Sequence, residues 1–500
     1  MNFTYLNYTA NLSDISAVSS LLANKWAILL DSGNYNKASE NGRYDIFSAL
    51  PCISIESKQI NKEQEYKLDI VTHSPSLTNL TINSLDHDPL TQMRSLLSHV
   101  KDLSDQKALE QTKANSRENK IPFKGGWLGY FSYDFGKTLE LTDTKPEDEF
   151  DIPHCIFGLY RWALISDHKN KTTKLFNFGL CEDEWKNILT LFQNELTHNS
   201  KHCDSKSPKQ ETHDLDLSFT LNEKFRSNLN FESYRNNFKV IQENILAGNC
   251  YQINYAHRFE ARFEGNSFTA YRYLSQVNKS PFSAYLNFGK FQILSLSPER
   301  FIKVKNKSVI TQPIKGTAPR NKDKAIDQQL ALALTQSEKD RAENLMIVDL
   351  LRNDLSKTAS QASVDVPELF GLYSFESVHH LISTVTSQLA PQFDSYDVMQ
   401  TCLPGGSITG APKIAAMKII DQLEDFKRGI YCGVIGYIDF EGNMDTNICI
   451  RTLLAKNGSL FCWAGGGIVF DSNVESEYKE TFHKISKIIP ILEQEFLEGE

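Results

Sequence analysis

The chain has no C-x-x-C pair among its nine cysteines, which are scattered over 500 residues. An odd, scattered set argues against a disulfide framework and against a structural zinc site. The formal charge of −9 includes no basic arm, so we expect no nucleic-acid partner. No apolar run approaches the ~20 residues of a membrane span, and the first residues lack the regions of a signal peptide. We therefore expect a cytoplasmic protein with no membrane partner.

The sequence also lacks any repeat with a period of 20–50 residues, which excludes a solenoid. Strand-like runs arrive in groups rather than alternating with helices, and this order predicts an α+β fold with large antiparallel sheets. A polar segment over 197–216 predicts a solvated connector, either a domain linker or an insertion in one large domain. We use it to divide the chain into an amino-terminal region, 1–216, and a second region, 217–500.

A proline-containing stretch, Thr311–Arg320, follows one predicted strand over 301–310 and precedes a predicted helix. Pro313 and Pro319 each fix φ and remove a backbone donor, so the pattern predicts a stiff loop that holds Lys315 in one place. A lysine amine attacks carbon only when it is neutral, and burial or a nearby cation lowers its pKa toward that state. An ordinary surface lysine in a proline-rich turn would give the same pattern.

Two predicted helices each carry a pair of acids three residues apart. The pairs are Asp340 with Glu343 and Glu477 with Glu480. Residues at this spacing lie on one helix face, and two such faces could meet around a hard cation such as Mg²⁺. Two ordinary solvated helix faces would show the same spacing.

Two glycine-rich segments could offer backbone amides to an anion. Cys402–Lys413, which contains Thr409, runs into a predicted helix, where free amides and the helix dipole attract negative charge. It lacks the Lys-Ser/Thr ending of a P-loop, so we expect a carboxylate rather than a nucleotide phosphate. Trp463–Ile468 is predicted as a turn that offers amides or simply closes a tight hairpin. Its glycines are Gly465, Gly466 and Gly467.

Four single groups complete the candidates. Arg451 lies in Thr446–Leu454, which is predicted as one apolar strand. A buried arginine there needs an anionic partner, either an internal carboxylate or a bound ligand. Glu299, His380 and Tyr431 stand alone, and a lone histidine or tyrosine is more often structural than catalytic.

Five motifs, in this order, resemble those of the chorismate-utilising enzymes. They are Ser297–Arg300, Pro313–Thr317, Glu343–Asp354, Pro404–Lys413 and Glu477–Thr481. The resemblance covers nearly the whole chain, is strongest over 232–492, and is greatest to the aminodeoxychorismate synthase branch. It implies an α/β sandwich of two large antiparallel sheets with helices packed outside and the active site in the cleft between the sheets.

The resemblance also implies chorismate as the substrate, Mg²⁺ as the cofactor and a role for each candidate residue. The implied metal site consists of Glu343 and Glu480, with Asp340 and Glu477 nearby. The implied substrate contacts are Tyr431, Arg451, Gly465, Gly466, Gly467, Lys484, Thr409 and Gln252. Glu299 would be the general acid on the departing 4-hydroxyl group, and His380 would assist at the ring.

Two positions separate the branches of the family. Gln252 stands where water-using relatives carry a lysine that activates water, which argues against water as the nucleophile. Lys315 stands where the matching motif of anthranilate synthases, similar to Pro-Ile-Ala-Gly-Thr, has alanine. The resemblance therefore implies that Lys315 attacks ring carbon 2 as the 4-hydroxyl leaves, and that ammonia then attacks carbon 4. The product, 4-amino-4-deoxychorismate, would serve 4-aminobenzoate and folate synthesis.

The partner follows from a missing signature, because the sequence contains no cysteine-centred glutaminase motif. We expect a separate glutaminase subunit to supply ammonia in a heterodimer. Segments around Ser32 and Pro281 resemble, imperfectly, the tryptophan pocket of relatives, so tryptophan is expected either as a buried ligand or not at all. An anthranilate synthase component and a non-catalytic chorismate-binding homologue are the alternatives.

Overall fold

The computed structural model describes residues 3–33, 41–59, 66–77, 88–103, 121–140, 150–196, 218–375 and 378–498. These residues form two kinds of regular element. The strands are β1 Phe3–Leu6, β2 Ala27–Asp31, β3 Tyr44–Ser48, β4 Ile53–Gln59, β5 Tyr66–Thr72, β6 Gly126–Phe131, β7 Cys155–Tyr160, β8 Trp162–Asp167, β9 Thr172–Asn177, β10 Phe219–Leu221, β11 Arg226–Ser227, β12 Gln252–Gly265, β13 Phe282–Asn287, β14 Phe291–Ser297, β15 Arg300–Lys305, β16 Ser308–Thr311, β17 Ile314–Pro319, β18 Asp365–Ser374, β19 Val378–Gln388, β20 Gly410–Ala411, β21 Val434–Asp439, β22 Met444–Ile448, β23 Thr452–Lys456 and β24 Ser459–Val469. The α-helices are α1 Ser16–Leu22, α2 Pro89–Leu103, α3 Tyr133–Leu139, α4 Glu182–Leu191, α5 Phe231–Leu246, α6 Ser267–Val277, α7 Lys324–Gln336, α8 Glu338–Ser356, α9 Ser395–Cys402, α10 Lys413–Leu423, α11 Val474–Ile485 and α12 Ile489–Phe496.

The strands form two large antiparallel sheets, which confirms the predicted fold class. The thirteen-stranded sheet has the order β1-β9-β8-β3-β2-β13-β14-β23-β24-β12-β10, and β11 and β20 also pair with β12. The eleven-stranded sheet has the order β17-β19-β16-β15-β22-β21-β6-β7-β4-β5, and β18 also pairs with β19.

The main core contains side chains from both sheets. Ile28 and Ile293 come from the thirteen-stranded sheet, and Ile55 and Trp127 come from the eleven-stranded sheet. Because successive strand residues point to opposite faces, alternate residues of the larger sheet pack instead against helices. Residues of α1, α6 and α12 join the second core, and those of α5 and α10 join a third. No helix among the described residues is long and apolar enough to cross a membrane.

Both halves of the chain contribute strands to both sheets. Strand β2 pairs with β13 in the larger sheet, and β6 pairs with β21 in the smaller one. The connector predicted over 197–216 lies outside the described residues. The division into an amino-terminal region, 1–216, and a second region, 217–500, therefore stays a prediction.

The prediction of a stiff loop at Thr311–Arg320 is wrong, because most of this stretch is strand β17. The strand lies at the edge of the smaller sheet and pairs only with β19 along the sheet path. An edge strand tolerates proline, since the missing donor faces away from the ladder. The register shifts between Ile314 and Thr317, and Gly316 within this bulge has φ +84°. The bulge thus holds Lys315 in place through pairing rather than through loop stiffness.

Two runs predicted as single strands are each two strands. Residues 301–310 form the β15–β16 hairpin, which turns at Asn306 and Lys307, both with positive φ. Thr446–Leu454 divides at 449–451, because β22 belongs to the smaller sheet and β23 to the larger one. Arg451 therefore lies in a crossover between sheets, with φ +52°, and not within an apolar strand.

The turn predicted at Trp463–Ile468 is also wrong. Gly465, Gly466 and Gly467 lie inside β24 and pair with Ala256, Tyr255 and Asn254 of β12. Glycine weakens a strand unless something approaches its backbone closely. Here side chains of α11 approach the backbone of β24 at Gly466.

Candidate active site

The site is organised by two chain segments that cross between the sheets side by side. One runs from β14 to β15 and carries Glu299, and the other runs from β22 to β23 and carries Arg451. The N–H of Ile448 donates to the Glu299 carbonyl at 3.1 Å, and the N–H of Leu296 donates to the Arg451 carbonyl at 3.0 Å. These backbone bonds fix an acid and a base beside each other where the two sheets meet.

Glu299 is buried, with 7% of its surface exposed. Its carboxylate accepts a hydrogen bond from the Ile314 N–H, while its Oε1 has no partner among the described residues. Burial raises the pKa of Glu299 to about 7, although the charges of Lys315 and Arg451 oppose the shift. A carboxyl group with this pKa is partly protonated near neutrality and can donate a proton.

Lys315 projects from the bulge of β17 toward acids of two helices. Burial lowers the pKa of Lys315, and the charges of Glu343 and Lys484 act on it in opposite directions. Lys315 is half-buried, and the surrounding protein disfavours its charged form. The arrangement increases the neutral fraction that nucleophilic attack requires.

Glu343 of α8 and Glu477 of α11 face each other, although the spacing within each helix left open whether the two helices meet. Lys339 Nζ lies 3.9 Å from Glu343 Oε1 and 3.8 Å from Glu477 Oε1, so one ammonium bridges the two helices. Burial raises the pKa of both Glu343 and Glu477. Burial opposes ionisation of Glu480 as well, but the Lys484 ammonium outweighs it and lowers the pKa of that carboxyl. We call the space between these three glutamates the acidic groove.

Gly466 explains why β24 carries three glycines. A Cβ at this position would lie 3.3 Å from Glu477 Oε2 and 3.5 Å from Lys484 Nζ. Lys484 also donates to the Gly465 carbonyl at 2.9 Å and pairs with Glu480 at 2.8 Å. The glycines therefore let α11 approach the strand closely enough to bring the acidic groove to the sheet.

Gln252 is fully buried, and neither polar atom of its side chain has a partner within the described part of the chain. A Cβ on Gly467 would lie 2.7 Å from Gln252 Nε2, so the amide lies against the glycine strand. Thr409 contacts β12, the strand that carries Gln252, because its carbonyl accepts from the Asn254 N–H at 2.8 Å. Its hydroxyl donates to the Gly405 carbonyl at 3.0 Å, so a substrate contact by that hydroxyl stays a prediction.

His380 and Tyr431 are both buried, and they have different neighbours. His380 lies on β19 opposite Thr317, whose hydroxyl is 2.8 Å from His380 Nδ1. Burial and the charge of Arg451 lower the pKa of His380 to about 4, so the ring is neutral. The ring of Tyr431 stacks on that of Trp463, with centroids 6.2 Å apart.

Asp340 lies at the edge of this group. Its Cβ and Cγ would lie 3.1 Å from a Cβ on Gly316, which places Asp340 against the β17 bulge. Its negative charge acts on Glu343 and favours protonation of that carboxyl group.

Sequence reasoning missed two residues that matter here. Lys339 stands four residues before Glu343, and this i,i+4 spacing was a usable signal. Arg428 stands four residues after its partner Glu424, but this pair lies beyond the end of α10, where the spacing carries no helical signal. Arg428 is fully buried and donates to the carbonyls of Ile408 and Asn254 at 2.9 and 2.6 Å. Together with its partner Glu424, it caps the edge of β12 between the short strands β20 and β11 and so fixes the strand that carries Gln252.

The family follows from comparison with known proteins. A family model described as chorismate binding enzyme matches residues 59–490. The chain belongs to the chorismate-binding enzymes. This membership confirms the resemblance given by the five motifs.

Individual relatives agree with the family assignment. The chain is 42% identical over 469 residues to aminodeoxychorismate synthase component 1 from Escherichia coli, with 94% of each protein covered. It is 34% identical over 384 residues to anthranilate synthase component 1 from Acetivibrio thermocellus, covering 76% of this chain and 78% of that protein. Anthranilate synthase component I from Streptococcus pneumoniae superposes with a TM-score of 0.72 at 30% identity, covering 91% and 94% of the two chains.

A cavity of about 380 Å³ lies apart from this site in the chorismate-binding enzyme described here. Its lining includes Asp31, Pro281 and the ion-paired Arg300 and Asp445. Burial raises the pKa of Asp31 to about 7. The cavity lies where the resemblance placed a tryptophan pocket. Whether tryptophan binds there stays a prediction.

Proposed function

We propose that this enzyme makes 4-amino-4-deoxychorismate from chorismate and ammonia. The observation that carries the proposal is the position of Lys315 on the β17 bulge, among Glu299, Glu343 and Glu480. The 42% identity to an aminodeoxychorismate synthase component 1 over 94% of both chains supports the same conclusion. We place this activity in the cytoplasm and in the synthesis of 4-aminobenzoate and folate.

The proposed reaction consists of two displacements. The neutral amine of Lys315 attacks ring carbon 2, both ring double bonds shift by one position, and the 4-hydroxyl leaves as water after taking a proton from Glu299. Ammonia then attacks carbon 4, both double bonds shift back, and Lys315 leaves as the free amine. The enolpyruvyl group is untouched, so the product keeps it. Neutral His380 would assist at the substrate ring.

The substrate's carboxylates need cationic and N–H donors. Arg451 and Tyr431 would hold the enolpyruvyl carboxylate together with the amides of β24. Burial lowers the pKa of Arg451, and the negative charge of a bound substrate would raise that pKa again by stabilising the charged guanidinium. Lys484 and the unpartnered amide of Gln252 would complete the contacts, with Thr409 behind them.

The acidic groove fits a magnesium ion. Mg²⁺ uses one or two carboxylates together with water and an anionic ligand, rather than an all-protein cage. Among the described residues, no three acidic, histidine or cysteine side chains are grouped so that they could hold an ion by themselves. Glu343 and Glu480 would hold the metal, with Glu477 and Asp340 nearby. When bound, the ion would neutralise the ring carboxylate of chorismate.

The ammonia would come from a glutaminase subunit in a heterodimer, because the sequence has no glutaminase nucleophile motif. The purified chain with chorismate, Mg²⁺ and ammonium chloride should give a product that mass spectrometry identifies as 4-amino-4-deoxychorismate. Glutamine in place of ammonium should give none, since this chain cannot release the amide nitrogen. Glutamine-dependent turnover by the pure chain would contradict the partner proposal. A product that has lost its enolpyruvyl group would indicate an anthranilate synthase instead, the class of the second relative.

The raised pKa of Glu299 predicts the alkaline limb of the pH profile. A general acid with a pKa of about 7 is lost as the pH rises through that value, so wild-type kcat should fall above about pH 7 with ammonia held constant. Glu299→Gln cannot donate a proton and should lose at least about a hundredfold in kcat. A Glu299→Gln variant with wild-type kcat would remove Glu299 from the chemistry.

A further inference from the structure

Lys339 neutralises the acidic groove from the solvent side. It stands in the first turn of α8, and its ammonium lies within 4.0 Å of Glu343 and of Glu477 on α11. Its side chain is 56% exposed, and it has no other ion pair or hydrogen bond among the described residues. The ammonium is therefore held by these carboxylates alone.

The second ammonium of the groove is held differently. Lys484 pairs with Glu480 at 2.8 Å and also donates to the Gly465 carbonyl at 2.9 Å. If Lys484 left the groove, it would lose both its ion pair with Glu480 and its hydrogen bond to the Gly465 carbonyl. Lys339 loses only two long, partly solvated ion pairs, which are weak interactions. Of the two cations, Lys339 is the one that a stronger cation can displace.

A divalent cation and Lys339 compete for the carboxylate of Glu343 and for the space beside Glu477. Glu343 and Glu477 each have a carboxylate oxygen directed at Lys339 Nζ, and Glu343 is a ligand in the proposed metal site. Two cations in this space would repel each other at close range. We propose that Lys339 is a tethered competitor, which occupies the acidic groove without metal and swings into solvent when a divalent ion binds.

This inference rests on the proposed metal site and adds a regulation of it. Because the metal must displace an internal cation, its affinity for the substrate-free enzyme is lowered. The anionic substrate adds ligands and charge, and these shift the competition toward the metal. Tight metal binding is thereby coupled to the presence of substrate.

The test measures Mn²⁺ binding to substrate-free protein by electron paramagnetic resonance, so that activity plays no part. Lys339→Met should lower the Kd for Mn²⁺ about five- to tenfold, since the competing charge is removed. Lys339→Arg keeps the charge and should stay near wild type. Lys479→Met is the matched control. It removes one lysine from α11 on the face that carries Phe482, and it should leave the Kd unchanged.

Each outcome decides the inference. An unchanged Kd in Lys339→Met, or an equal gain in Lys479→Met, would overturn it while leaving the metal site intact. Absence of Mn²⁺ binding in wild type and in Lys339→Met would overturn both the metal site and the inference. As a second measurement, acylation of the Lys339 amine, read by peptide mass spectrometry, should become faster when MnCl₂ is added.

Discussion

Lys315→Ala should reduce formation of 4-amino-4-deoxychorismate by at least about a thousandfold at ordinary ammonium concentrations, because a positioned amine has a very high effective concentration. The acidic groove and the carboxylate contacts remain, so chorismate should still bind. Direct attack of ammonia at carbon 2 could then give traces of an anthranilate-type product. Product analysis by mass spectrometry measures both.

Two further variants test whether Lys315 acts as a nucleophile or only as a positive charge. Lys315→Arg keeps the positive charge but stays protonated and cannot attack carbon, so it should not restore activity. Lys324→Ala removes an exposed lysine at the start of α7 and should behave as wild type. Intact-protein mass spectrometry should trap an adduct on wild type when ammonia is withheld. Wild-type rates in Lys315→Ala would show that Lys315 is only a structural cation.

The sequence predicted elements well where one face of an element is buried. In α2 the apolar residues at helical spacing, Leu90, Met93 and Val100, are buried, and the Ser337 side chain caps α8 by accepting from the Asp340 N–H. Such elements follow from a local period that a few residues determine. The fold class followed in the same way from the grouping of strands.

Prediction failed where the cause is tertiary. Thr446–Leu454 passes from a buried strand of one sheet to a buried strand of the other, and the sequence pattern alone cannot locate the crossover between them. Three successive glycines are typical of a turn, so the glycines of β24 were predicted as one. The reason for Gly466 inside a strand is the close approach of Glu477 and Lys484, which only the folded structure shows. The sequence singled out Lys315 but not its support, because that support is a bulge, and a bulge depends on the partner strand β19.

The motifs located the site better than local patterning did. Glu343 and Glu480 are 137 positions apart, and their spacing within each helix gave no sign that the helices meet. The ordered resemblance to a known family supplied that information. Lys339 was missed because the resemblance assigned it no role, although the sequence has it four residues before Glu343.

Glu343→Gln and Glu480→Gln should each lower kcat by more than about a hundredfold, because even groups that only support a metal ligand contribute that much. Each variant should also weaken Mn²⁺ binding, measured by electron paramagnetic resonance in the presence of substrate. Excess Mg²⁺ should not restore full activity, since the amide is a poor ligand for a hard cation.

The fold should survive both changes, for different reasons at the two positions. Burial already raises the pKa of Glu343, so a neutral amide there removes a charge that the folded protein disfavours. Glu480 is half-exposed, and losing its pair with Lys484 should cost little stability. Glu475→Gln, an exposed acid in the first turn of α11, is the matched control and should keep wild-type activity and melting temperature. Undiminished turnover at saturating Mg²⁺ in either groove variant would contradict the metal assignment. A lowered melting temperature without weaker Mn²⁺ binding would make the glutamate a structural residue instead.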